Sequence, residues 1–178
     1  MFARAPHGEA SVSVALLTSE FGLVRARAQG VRKPGAKLAP ALQTLAECDA
    51  ILVRGKDGWR LSGALLVCNW ASTLDHNARK RAGRLATLIA RLMHGESADS
   101  APFQVFRAFI AALPTLTEEE QDAAECLAAL RILSSLGLDA GELPGGEGMY
   151  DDAGLAAVSA DRTAYVARVN RGIAASGL

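Results

Sequence analysis

From Ala10 to Val67 strand signals dominate the pattern of apolar and polar positions. Val12, Val14 and Leu16 alternate with Ser11, Ser13 and Ala15. After the turn-like break Ser19-Glu20-Phe21-Gly22, the stretch Leu23 to Val31 alternates again and places Arg25, Arg27 and Gln29 on one face. Successive strand side chains point to opposite faces, so this spacing predicts a hairpin with one buried and one charged face. Leu42 to Arg54 and Trp59 to Val67 flank Gly55-Lys56-Asp57-Gly58, whose Asp-Gly step favours a tight turn and predicts a second hairpin. Met1 to Pro6 supplies a short first strand. About five strands in some 70 residues is the size of an OB-type barrel.

Beyond Ser72 the rhythm changes. Ala78, Ala82, Leu85, Ile89 and Leu92 follow three- and four-residue steps that end at His94-Gly95, the pattern of a helix with one buried stripe. Pro102 suits the first turn of a second helix, whose apolar face is Phe103, Phe106, Phe109 and Ile110. Thr117-Glu118-Glu119-Glu120 reads as a capping box opening a third helix that runs to about Leu136, with Gly137 ending it. The glycine-rich stretch Leu138 to Tyr150 reads as a loop. Two shorter helices, near residues 152–158 and 161–175, close a bundle. The expected architecture is α+β, with an OB-fold barrel over residues 1–72 and a helical bundle over 73–178.

Composition changes this picture through charge. The 19 basic and 19 acidic side chains of the 178 residues cancel. Divided along the chain they do not: residues 1–112 hold 15 Lys/Arg against 8 Asp/Glu, while residues 113–178 hold 4 against 11. Screening over roughly 8–10 Å means that a bound polyanion senses nearby charge and not the cancelled total. Half of the residues are hydrophobic, enough for real cores. No apolar run approaches the roughly 18–20 residues of a membrane span and no signal-peptide core opens the sequence, so a cytoplasmic protein is expected.

Candidate chemistry is mostly removed by spacing. Cys48, Cys68 and Cys126 form no CxxC and have no His at ligand spacing, so they read as buried, reduced thiols, and no metal is expected. Gly30 to Leu38 resembles a phosphate loop but lacks the contiguous Gly-Lys and the Ser/Thr that would reach Mg²⁺. His7, His76 and His94 belong to no metal or catalytic pattern. Glu118, Glu119 and Glu120 stand at a helix start, where negative charge offsets the macrodipole. No G-x-S-x-G segment exists. Neither a catalytic residue nor a cofactor is expected, and the chain does not read as an enzyme.

Binding remains. Arg25, Arg27, Arg32, Lys33, Lys37, Arg54, Lys56 and Arg60 all fall on strands or turns of the predicted barrel. Such an edge either holds a phosphate backbone or simply solvates the barrel surface. The β-region offers only Phe2, Phe21, Trp59 and Trp70 for base stacking, and core packing is expected to claim most of them.

Several ordered segments resemble the RecO family of recombination mediators: Gly8-Glu9-Ala10, Leu16-Leu17-Thr18 with Glu20-Phe21-Gly22, Ala28-Gln29-Gly30-Val31-Arg32-Lys33, Leu38 to Gln43, and Trp59-Arg60-Leu61. Leu130-Arg131-Ile132-Leu133 with Leu136-Gly137, and Val169-Asn170-Arg171 with Ala175-Ser176-Gly177-Leu178, extend the resemblance over nearly the whole chain. The resemblance implies an OB barrel that holds single- and double-stranded DNA and anneals complementary strands. It further implies a helical domain that supports partner binding, with RecR and the C-terminal tail of single-stranded-DNA-binding protein (SSB) as partners. Carried over by position, Arg25, Arg27, Arg32, Lys33 and Lys37 lead the DNA contacts, with Arg54, Lys56 and Arg60 behind them. The stripe Leu85, Leu88, Ile89 and Leu92 reads first as core, and Arg84 or Arg91 beside it is the candidate for holding the SSB tail. Three features depart from the family: only Cys126 of a four-cysteine zinc module, a short first strand, and Gln29 where relatives often carry a basic residue. The competing expectation is an OB-plus-helix protein-interaction module without DNA affinity.

Overall fold

The computed structural model describes residues 1–7, 11–29, 38–145 and 149–178, without the side chains of Pro6 and His7. These residues fall into two units, Met1–Thr73 with Gly95–Ala98, and Leu74–His94 with Asp99–Leu178.

The first unit is built from β1 (Ala3–His7), β2 (Ser11–Thr18), β3 (Gly22–Gln29), β4 (Ala46–Gly55) and β5 (Gly58–Asn69), followed by a single turn, α1 (Trp70–Thr73). The strands form one sheet in the order β1-β2-β3-β5-β4. All neighbours are antiparallel except β3 and β5. The Leu45 amide donates to the Met1 carbonyl at 3.0 Å, and the Met1 amine donates to the Ala46 carbonyl at 2.6 Å. These bonds join the chain start to the start of β4 and complete the strand circuit of an OB fold.

Alternation fills the interior as expected. Val12, Val14 and Leu16 of β2 meet Val24, Ala26 and Ala28 of β3, with Leu61 of β5. Leu42 also belongs to this core, but not as the first residue of a strand. It ends a 3-10 turn over Pro40–Leu42, and β4 begins only at Ala46. Pro40 lacks an amide donor and has φ preset for a helical turn, while Leu45 sits at a φ of 63° and turns the corner into the strand. Register shifts at Glu47/Cys48 and Ile51/Leu52 leave Val67 and Ser62 without a register partner on β4; such bulges increase local twist.

In the second unit α2 (His76–Leu92), α3 (Ala101–Ala112), α5 (Asp152–Ala160) and α6 (Arg162–Ala175) pack around α4 (Glu118–Ser135). Leu127, Ala128, Leu130, Ile132 and Leu133 of α4 are fully buried, as a helix at the centre of a bundle requires. Thr117 and Glu120 form the anticipated capping box. Hydrogen bonds from Thr117 hold the Glu120 carboxyl below its ordinary range, so this acidic cluster caps a helix. Asp75, Asp151 and Asp161 cap α2, α5 and α6.

The stripe Leu85, Ile89 and Leu92 is buried, and Leu88 is half-buried. Cys126 is buried as expected, whereas Cys48 and Cys68 are only half-buried; all three are free thiols. Half-burial follows from their places on the long β4–β5 hairpin, where Cys48 faces Leu66 and Cys68 faces Glu47. Among the described residues no helix is long and apolar enough to cross a membrane.

Candidate nucleic-acid interface

The alternation of β3 that buries Val24, Ala26 and Ala28 leaves Arg25, Arg27 and Gln29 exposed. Strand register then decides what stands beside them. On one side Arg25 faces Ala15, Arg27 faces Ser13 and Gln29 faces Ser11. Ala15 and Ser13 in turn face Ala3 and Ala5 of β1. The neighbours are therefore small, and the guanidinium groups rise from a low shelf. On the other side Arg27 faces Arg60 of β5, which faces Val53 of β4.

Arg27 and Arg60 are thus cross-strand partners of like charge, both exposed. Neither has an ion pair among the described residues. Like charges directly opposite in a sheet destabilise it. A polyanion laid across the row would neutralise both and remove that cost. Lys56 is exposed at the tip of the β4–β5 hairpin, two residues before Gly58, whose φ of 96° closes the turn. Strand register thus sets Arg25, Arg27 and Arg60 on one face of the sheet, and Lys56 stands in the turn that joins β4 to β5.

Arg32, Lys33 and Lys37 lie outside the described residues. Arg54 is placed differently from the other candidates. Its guanidinium donates to Glu96 Oε2 at 2.7 Å and stands 5.3 Å from the Trp59 ring centre. Trp59 Nε1 donates to the other carboxylate oxygen of Glu96 at 2.8 Å, and Phe21 packs on Trp59 with ring centres 5.1 Å apart. Trp59 is half-buried against the barrel core, whereas Phe21, expected to be a core residue, is 37% exposed; Trp70 Nε1 donates to Glu47. Sequence reading misses Glu96 altogether. It stands 42 residues from Arg54 and 37 from Trp59, in a segment with no local pattern.

In the helical unit Arg84 is held by Glu125, with Nε donating to Oε1 at 2.6 Å. That hydrogen bond raises the arginine further above its already high range. Arg81 pairs with Asp122 and Glu125 at 3.0 Å each, and Arg162 also pairs with Asp122. Arg84 is therefore part of a lattice tying α2, α4 and α6 together. Arg91 is exposed in the last turn of α2 without an ion pair among the described residues. Among those residues no His, Cys, Asp and Glu cluster could hold a metal ion. The assembled groups can neutralise and orient an anionic chain.

The family model described as Recombination protein O N terminal matches residues 1–67, the strands that carry the basic row. DNA repair protein RecO of Heliobacterium modesticaldum is 32% identical over 132 residues, covering 74% of this chain and 47% of that protein. The chain thus spans about half the length of the curated relative it matches. With the five-stranded OB circuit, the matched strands and this identity in agreement, the chain belongs to the RecO family.

Proposed function

We propose that this chain is a non-enzymatic DNA repair and recombination protein that binds single- and double-stranded DNA through the phosphate backbone. The observation that carries the reading is the cross-strand pairing of Arg27 with Arg60. A barrel needing only a soluble surface has no reason to set like charges side by side, because alternating signs would solubilise it without the repulsion. Arg25 and Lys56 extend this face, and Arg32, Lys33 and Lys37 add charge in the same β-region. With few free aromatics, phosphate contacts dominate, and sequence preference is small. Annealing follows, since a basic face lowers the repulsion between two strands held near it.

The partner assignments implied by the family, RecR and the SSB tail with recombinase loading on SSB-coated DNA, belong to the same proposal. On α2 the exposed Arg91 is the stronger candidate for the acidic SSB tail, because Arg84 is already committed to Glu125. One observation favours the rival reading of a protein-interaction module without DNA affinity. Ile51 and Leu65, 64% and 70% exposed, with Val67 form an apolar strip on the β4–β5 hairpin, and such patches commonly mark protein contacts.

Fluorescence titration with single-stranded and duplex oligonucleotides at about 50 and 200 mM salt separates the two. The DNA reading requires binding at the lower salt that weakens at the higher. No binding at the lower salt would leave the interaction module standing.

A further inference from the structure

The basic row does not end in a polar surface. Arg27 lies between Ala26 and Ala28, and Arg60 between Trp59 and Leu61, all four packed in or against the barrel core, so alternation turns both arginines to the outer face. Register carries that face on to β4, where Arg60 stands opposite Val53. Two residues along, with Leu52 packed on the core between them, Ile51 stands opposite Gly63. A Cβ added at Gly63 would lie 3.2 Å from Ile51 Cδ1, so the isoleucine side chain extends across the glycine on this same face. Leu65 follows Ala64, which packs on the core, and faces the exposed Asp49. Val53, Ile51 and Leu65 are all exposed. Along the hairpin the outer face thus carries arginines, then three aliphatic side chains, then one carboxylate.

We infer that the strip of Val53, Ile51 and Leu65 receives unpaired bases of a single strand whose phosphates lie on Arg27 and Arg60. The inference rests on the DNA-binding reading and deepens it. Neighbouring strands lie roughly 5 Å apart and alternate residues of one strand roughly 7 Å apart, so the strip begins within one nucleotide's reach of the arginines. Charge orders the ligand. The arginines draw phosphates to one end and Asp49 repels them from the other, which leaves the apolar middle to the uncharged part of the nucleotide. Base faces are apolar, and removing them from water together with aliphatic side chains favours contact without an aromatic ring. In a duplex those faces are already stacked, so the strip serves single strands alone. Three side chains cover few bases, and the rest of the strand stays free to pair. A protein partner would account for the strip but not for its unbroken join to two like-charged arginines that lack ion pairs among the described residues.

The test compares the parent with Ile51→Thr combined with Leu65→Thr, which keeps strand propensity and removes apolar surface. Three probes of equal length are titrated at about 50 and 200 mM salt: oligothymidylate, an abasic strand with the same phosphates, and a duplex. The parent should bind oligothymidylate roughly fivefold to tenfold more tightly than the abasic strand. The variant should lose that preference and keep the parent's affinity for the abasic strand and the duplex. Its salt slope on each probe should match the parent's, because no phosphate contact is removed. A parent that binds oligothymidylate and the abasic strand equally, or a variant that keeps the preference, would overturn the inference. Either result would leave the DNA-binding reading in place and return the strip to a protein contact. Equal losses on all three probes would make the two residues structural and also overturn it. A parent that binds none of the probes at the lower salt would remove both the inference and the reading beneath it.

Discussion

Replacing both Arg27 and Arg60 by Gln should weaken DNA binding while making the barrel slightly more stable. The two residues face each other across β3 and β5 with no acidic partner among the described residues. Opposed like charges cost up to about 1 kcal/mol, and exposure and salt reduce that to a few tenths. In a barrel of this size, a gain of a few tenths of a kcal/mol raises the melting temperature by roughly 1–2 °C at low salt. Both tryptophans of the chain, Trp59 and Trp70, belong to the barrel unit, so their fluorescence reports its unfolding separately from the helices. On the binding side, each phosphate contact contributes about −0.7 to the log–log salt slope with single strands, so two lost contacts flatten it by about 1.4. Across a fourfold rise in salt, parental affinity should therefore fall about sevenfold further than that of the variant. This difference does not depend on how many contacts Arg25, Lys56 and the residues 30–37 contribute. A melting temperature lowered by several degrees would show that the two arginines are structural. An unchanged slope would show that no phosphate lies on the row.

Four further substitutions probe the helical unit. Gly83 lies inside α2, and a Cβ added there would meet nothing within 4 Å, so Gly83→Ala should stabilise by about 1 kcal/mol in thermal or urea unfolding followed by circular dichroism. Gly172→Ala should not, because its Cβ would stand 2.9 Å from Leu133 Cδ1 and 3.2 Å from the Leu138 carbonyl. Leu133 is fully buried, and overpacking of about 1–3 kcal/mol offsets the helix gain of about 1; a clear stabilisation would contradict the close approach of α6 to α4. Gln121, 5% exposed, donates to the Leu113 and Leu116 carbonyls at 3.0 and 3.2 Å, so Gln121→Leu should cost about 1–3 kcal/mol by removing both bonds, the Leu113 carbonyl keeping only the longer one from the Leu116 amide at 3.4 Å. Arg168 donates to both oxygens of Asp139 and holds its carboxyl below the ordinary range. The contribution of that depressed group is present above the unfolded value of about 3.9 and disappears as pH falls through the lower folded value. Asp139→Asn should therefore be less stable than the parent near neutrality and converge with it in acid, and a gap that persists at the acid end would refute the assignment.

Much of this is legible in the sequence because it is local. Period-two alternation places Arg25 and Arg27 outward and Val24, Ala26 and Ala28 inward, and the capping box at Thr117 marks the start of α4. What is not legible depends on chain returns. The parallel register that sets Arg27 against Arg60 spans 33 residues, and the Glu96 seat on Arg54 spans 42; neither leaves a periodic trace. Leu42 reads as a strand residue because an apolar residue in a 3-10 turn has no signature of its own.

Charge shows the same limit in a form that bears on function. The linear division at residue 112 separates a basic from an acidic part, yet folding regroups them. Arg81 and Arg84 from the basic part are consumed by Asp122 and Glu125 from the acidic part. The barrel unit, residues 1–73 and 95–98, carries 9 Lys/Arg against 6 Asp/Glu. This excess is too small by itself to mark a polyanion site. The distinction lies in placement: Glu96 is spent on Arg54 and Trp59, and Glu47 accepts from Trp70, while Arg25, Arg27 and Arg60 hold no ion pair among the described residues. Association with a phosphate chain is governed by the cations left uncompensated within a screening length, so three unpaired arginines on one face outweigh the near-neutral sum of the unit that carries them.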